Sequence, residues 1–224
     1  MFFCAAANYD MIVFYLMLLS SPNQHGNPPG TLKVGDYYVD KTEISNIHWM
    51  EYLHYESREK DSTEMLALLP DTANVWFGVR ANRLIPMTMI SYEQAMNYCQ
   101  WRSKMVSKKI GMKVTYRLPT PAEWSQIATT LIERDEKMCS KQIEQSKKKQ
   151  KRNPQEYFLH PILASENEIY NYFDNVSEMT SEKGVAMGGN NLELFELREN
   201  ITRTKTYSAP NAYLGFRCIA KFEP

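Results

Sequence analysis

Four cysteines and four histidines are the side chains best suited here to redox chemistry, metal binding or nucleophilic attack. Their spacing excludes most of it. Cys4, Cys99, Cys139 and Cys218 lie far apart, so there is no CxxC pair and no zinc-ligand spacing. Cys99 in "MNYCQW" and Cys218 in "GFRCIA" sit among apolar residues and read as small buried side chains. A disulfide between them is open in an oxidising compartment. His25, His48, His54 and His160 are scattered over a linker, an early helix and a polar insertion, with no two-His-one-carboxylate set at local spacing. There is no Gly-x-Ser-x-Gly elbow and no phosphate-cradling loop.

The elements that would position these residues are announced by their caps. In "YRLPTPAEW" (116–124), Thr120 and Glu123 form a capping box and Pro121 takes the first helical position. Trp124, Ile127, Ala128 and Leu131 then repeat at helical spacing. The helix is expected to run on toward "KKKQKR" (147–152) with its apolar stripe fading after Leu131, the basic run being its solvated end. Ser91 and Gln94 form a second box, opening a helix with Ala95, Tyr98, Cys99 and Arg102 on one face and ending at Gly111. Ser45 caps an earlier helix. "LKVGDYYVD" reads as strand broken at Gly35-Asp36, "KVTYRL" as a strand and "ESREKDSTE" as a loop. Helices early and short strands late, without β-α alternation, predict an α+β domain.

Composition narrows the partners. Lys+Arg and Asp+Glu both total 26, and zero net charge argues against nucleic acid. Apolar residues make up 43%, as in a globular chain. "MIVFYLMLLS" (11–20) has the length of a signal-peptide apolar region and is short for a bilayer span. No Lys or Arg precedes it, so an export signal and an irregular N-terminus both stay open. "SPNQHGNPPG" (21–30) reads as a linker. The expected organisation is residues 1–30 as N-terminal segment and linker, then one domain over 31–224 with a charged helical insertion at about 132–165.

Separated segments then line up with one family. "YYVDKTEISNIHWMEYL" (37–53) resembles the opening strand and "EVTN…Y…F" helix of the formylglycine-generating-enzyme, or sulfatase-modifying-factor, domain family. "PMTMISYEQAMNYCQWR" (86–102) is similar to its "PV…VSW…A…YC.W" helix, and "YRLPTPAEW" to its "RLPTEAEWE". "DNVSEMT" (174–180), "AMGGN" (186–190) and "LGFRCIA" (214–220) resemble its "GNVWEW", "RGGSW" and "GFR" strands. The match covers roughly 32–222.

The resemblance implies an irregular α+β fold related to C-type lectins and low in regular structure. Arg117, Trp124 and Arg217 would be structural, both arginines paired, because an unpaired buried charge is too costly. It also implies chemistry that this chain lacks. The family's formylglycine-forming enzymes bind copper through two cysteines between the GG and GFR strands, and soft Cu(I) needs such thiolates. The corresponding segment, 188–215, contains no cysteine. The family's iron-dependent oxygenases use a histidine set drawn partly from an extra helical domain, and neither that set nor that domain is expected from this sequence. A calcium site is the one that could carry over, through Asn175, the carbonyl of Val176 and Glu178, all oxygen donors. Asp174 stands where the family has Gly. Asn175-Val176-Ser177 is also a glycosylation sequon, discounted without a eukaryotic secretory context.

The leading expectation is a non-catalytic binding or structural module with a protein partner, exported or at the cell envelope, with a cytoplasmic location as the alternative. "LPDTANVW" (69–76) resembles the subgroup of gliding-motility and type IX secretion lipoproteins of Bacteroidetes. One alternative is an enzyme with altered chemistry, its candidates Asn190, Asn191, Glu193, Arg198 and Arg203 in the segment without cysteines. Another is a carbohydrate binder stacking sugars on Trp49, Trp76 or Trp101.

Overall fold

The computed structural model describes residues 26–71, 77–152, 168–190, 192–193, 196 and 201–223. The first strands, β1 (Thr31–Val34) and β2 (Tyr37–Asp40), form an antiparallel hairpin with Val34 opposite Tyr37. Gly35 at φ 58° supplies the left-handed conformation that a two-residue hairpin turn needs at its first position. Helix α1 (Asn46–Glu56) follows. Ser45 caps it with His48 in the reciprocal position, the Ser45 N–H donating to His48 Nδ1 at 3.1 Å.

The segment expected as loop is partly helical: α2 spans Ser62–Leu66. Asp61 Oδ1 accepts from the Thr63 and Glu64 amides at 2.8 and 2.9 Å, and Glu64 Oε2 from the Asp61 amide at 3.0 Å. This is a capping box hidden in a run of polar residues. Both boxes expected from sequence are present. Ser91 and Gln94 start α3 (Tyr92–Ile110), which stops at Gly111 in the left-handed conformation. After β3 (Val114–Arg117), Thr120 and Glu123 start α4 (Pro121–Arg152). Helix α4 kinks at Asp135, whose φ and ψ are −157° and 80°. Asp135 Oδ1 accepts from the Met138 amide at 2.9 Å and so recaps the helix. The sequence predicts that the apolar stripe fades after Leu131; it continues instead. Ile132, ahead of the kink, and Cys139 and Ile143, beyond it, are buried too and pack in one apolar cluster with Leu131.

Short strands complete the fold: β4 (Ser177–Met179), β5 (Val185–Met187), β6 (Lys205–Thr206), β7 (Leu214–Gly215) and β8 (Ile219–Phe222). One sheet has the order β1-β2-β8-β3 and is antiparallel throughout; the other has the order β6-β5-β4-β7, with β4 and β7 parallel. The chain is an α+β domain of few helices and two small open sheets.

Two apolar clusters hold it together. One gathers Trp49, Tyr52, Tyr98, Met87 and Phe216 between α1, α3 and the strands. The other places Trp124, Ile127 and Leu131 of α4 against Val34, Tyr172 and Met187. Burying each large side chain contributes roughly 1.5–3 kcal/mol. Among the described residues, no helix is long and apolar enough to cross a membrane.

Candidate functional site

The segment without cysteines adjoins a buried polar platform through Ser177, the neighbour of Glu178. Arg217, just after β7, and Glu178 of β4 are each 1% exposed in their side chains and meet at 2.5 Å, Nε to Oε1. Arg217 also donates to the carbonyls of Asp40, Tyr170 and Asn171 at 3.1, 3.0 and 3.1 Å, and its guanidinium lies over the Tyr172 ring. Glu178 Oε2 accepts from the Trp124 indole at 3.0 Å. Arg217 is paired, as burial of its charge demands, and Trp124 shares its partner Glu178. Arg117 forks onto Glu123 at 2.7 and 2.6 Å, so Glu123 both caps α4 and neutralises β3.

Glu43 completes the platform. It is fully buried, and its Oε1 accepts from Asn175 Nδ2 at 2.8 Å and its Oε2 from Asn171 Nδ2 at 3.4 Å. Both asparagines have positive φ, 53° at Asn171 and 74° at Asn175, a conformation Asn tolerates better than most residues. Desolvation raises the Glu43 carboxyl to about 8, against the pull of Arg217 and with a push from Glu178.

This arrangement bears directly on calcium. Asn175 presents its amide N–H to Glu43, and both oxygens of Glu178 already accept hydrogen bonds, one from a guanidinium. Asn175, Val176 and Glu178 are thus each buried, and Glu178 is tied to Arg217 and Trp124. Among the described residues, no group of three or more His, Cys, Asp or Glu is placed to hold a metal.

Above the platform, three of the candidates come together. Asn190 Oδ1 accepts from the Leu192 and Glu193 amides, both at 2.8 Å, and folds a tight turn. Glu193 Oε1 then meets Arg203 Nη2 at 2.9 Å. Asn191 and Arg198 lie outside the described residues. Two residues that the sequence reading passed over join the cluster. Lys205 Nζ lies 3.2 Å from Glu193 Oε2 and 3.4 Å from Ser177 Oγ, and Asn190 Nδ2 donates to Ser177 Oγ at 2.9 Å. Ser177 was legible: it stands in "DNVSEMT" where the resembling "GNVWEW" has Trp, and a hydroxyl replacing a ring makes room for polar neighbours. Gly188, at φ 82°, lets the GG turn pass over Trp124; a Cβ there would sit 3.3 Å from the indole.

The thiols are elsewhere. Cys99 and Cys218 do meet, Sγ to Sγ 3.3 Å, but inside the first apolar cluster, 1% and 0% exposed. Burial, then the hydrogen bond with Cys99, holds the Cys218 thiol well above its usual range, so the thiolate that would bind soft copper is disfavoured. Burial pushes Cys139 to about 11. All three are expected to resist a disulfide reagent such as DTNB in the native protein and to react once it is unfolded in guanidinium. Rapid native labelling of Cys99 or Cys218 would show that the pair opens to solvent.

The remaining candidates serve local structure. His48 caps α1, and His54 Nε2 lies 2.9 Å from Arg58 Nη2. Trp49 is fully buried against Tyr52, Tyr98 and Phe216. Trp101 is half-buried among Tyr52, Tyr55 and Tyr98, its ring tilted against each of them. Trp76, His25 and His160 lie outside the described residues.

Comparison with known proteins supplies the remaining finding. The profile of the sulfatase-modifying factor enzyme 1-like domain matches residues 13–222. Comparison with curated proteins gives no match. Among solved structures, the chain is similar to the crystal structure of CarF, with 13% identity, TM-score 0.48, and coverage of 84% of this chain and 92% of that one. It is similar also to PvdO from Pseudomonas aeruginosa, with 12% identity, TM-score 0.45, and coverage of 83% and 80%.

Proposed function

Because the chain belongs to the sulfatase-modifying factor enzyme 1-like domain family, we propose that it keeps that scaffold as a binding module without the family's copper chemistry. One observation carries this reading: residues 188–215 contain no cysteine, and the two thiols that approach each other are sealed in the core. A copper ion needs thiolates that substrate and oxygen can reach. The segment without cysteines instead brings an amide, a carboxylate and two cations around a buried hydroxyl, groups that recognise polar ligands by hydrogen bonds and charge.

The test is direct. Purified protein given copper, oxygen and a cysteine-bearing sulfatase peptide is expected to leave the peptide mass unchanged. Conversion of its cysteine to formylglycine, read by mass spectrometry, sinks the proposal. An enzyme of altered chemistry is the second reading, favoured by the desolvated Lys205 ammonium beside the Ser177 hydroxyl. A finer role, as a structural part of a cell-envelope secretion or gliding apparatus, rests on the "LPDTANVW" resemblance. Crosslinking in native cells followed by recovery of envelope partners tests it.

A further inference from the structure

We propose that Arg203 and Lys205 form a site for a ligand carboxylate, and that Glu193 of the same chain occupies it until a ligand takes its place. This rests on the binding-module reading above and names the chemical class that the module takes.

The geometry points to a carboxylate because the site already holds one. Arg203 reaches one oxygen of Glu193 at 2.9 Å and Lys205 the other at 3.2 Å. The two cations are two residues apart, with Lys205 opening β6, and both side chains reach the same carboxylate. They therefore converge on one small group. Each oxygen of a planar carboxylate meets its own cation, an arrangement that adds directional specificity to charge attraction.

Lys205 is placed unlike an ordinary surface lysine. Its side chain is 18% exposed, packed at the rim beside the Ser177 hydroxyl. Burial lowers its proton affinity, and Glu193 works in the opposite direction. An ammonium so desolvated needs an anion beside it. Glu193 is held differently. Its backbone is fixed by the Asn190 turn, its N–H bonded to Asn190 Oδ1 and its carbonyl to the Asn190 amide, each at 2.8 Å. Its side chain is 43% exposed, so it can rotate into water while the turn stays closed. Glu193 thus acts as a tethered competitor: it neutralises Lys205 in the free protein and yields to an external carboxylate that binds better. The affinity of a site that is only fractionally vacant falls by that fraction, so removing the competitor should strengthen binding.

The carboxylate could come from a peptide terminus or from a small free acid, and the experiment separates them. The probes are N-acetyl-Ala-Ala as free acid, the same dipeptide as its C-terminal amide, and succinate, each titrated into the full chain and followed by NMR shifts or calorimetry. The free acid should bind and the amide should not. Glu193→Gln and Glu193→Ala should each tighten binding of the acid on the order of tenfold. Arg203→Gln and Lys205→Gln should each weaken it on the order of tenfold, with circular dichroism unchanged. Succinate equalling the peptide acid assigns the site to small acids; a preference for the peptide acid assigns it to chain termini. Equal binding of acid and amide overturns the proposal. So does affinity indifferent to Glu193, or no binding by either Glu193 variant at millimolar probe. Those failures leave the binding-module reading standing. Formylglycine formation would sink that reading whatever the carboxylate does.

Discussion

Replacing Arg217 with methionine is expected to destabilise the protein by about 3–5 kcal/mol, the effect of stranding a buried charge by removing its partner. The guanidinium is the hub of the platform: it faces Glu178 and three backbone carbonyls at once. Methionine fills much of the volume and leaves those acceptors in the interior, with Trp124 the remaining donor to Glu178. Urea unfolding of the variant, read as a fall in midpoint at constant slope, measures the loss. A change below about 1 kcal/mol, the range of exposed ion pairs, would show that the pair is not sequestered. Pairing Arg217→Met with Glu178→Leu should recover part of the loss, since an apolar replacement of both partners removes the stranded charge.

Glu43→Gln is expected to change how stability depends on pH. The Glu43 carboxyl is raised from 4.5 to about 8, chiefly by burial. Burial raises the Glu178 carboxyl too, with the Arg217 guanidinium and the Trp124 indole working against that rise, whereas Glu43 accepts from the neutral amides of Asn175 and Asn171. Between pH 4.5 and 8 the folded state then binds more protons at Glu43 than the unfolded state does. Stability from this residue is fully present below pH 4.5 and falls as pH rises toward 8. At about 1.4 kcal/mol per unit, the decline amounts to several kcal/mol. Glutamine holds the neutral shape at every pH. The variant should match wild type near pH 5 and exceed it at pH 8.5, with thermal melts as the readout. Parallel pH profiles for the two proteins would mean that Glu43 ionises without penalty.

What could be read without coordinates was whatever depends on near neighbours in the chain. The boxes at Ser91–Gln94 and Thr120–Glu123 are three-residue patterns, and both formed. The box at Asp61–Glu64 has the same pattern, and its polar surroundings disguised it. That Arg217 must be paired followed from the expense of a buried charge. Its partner did not, because Glu178 lies 39 residues away. The meeting of Ser177 with Lys205 spans 28 residues and that of Asn175 with Glu43 spans 132. At such separations, topology decides who meets whom, and local composition is silent. The kink at Asp135 was missed for another reason. Asp is compatible with an exposed helix face, and its role as an internal cap appears only when the backbone turns.

The first sheet is closed by its latest strand. β8 lies between β2 and β3, and Arg217 just ahead of it reaches Asp40 across 177 residues. A chain emerging from the ribosome at roughly 5–20 residues per second would carry its opening hairpin unaccompanied for on the order of 10–35 s. Throughout that interval the inner edge of β2 is an open template for pairing with other chains. Nascent copies therefore have reason to depend on a holdase until the final strand arrives, and slowed translation downstream of β2 should raise the aggregated fraction in the cell.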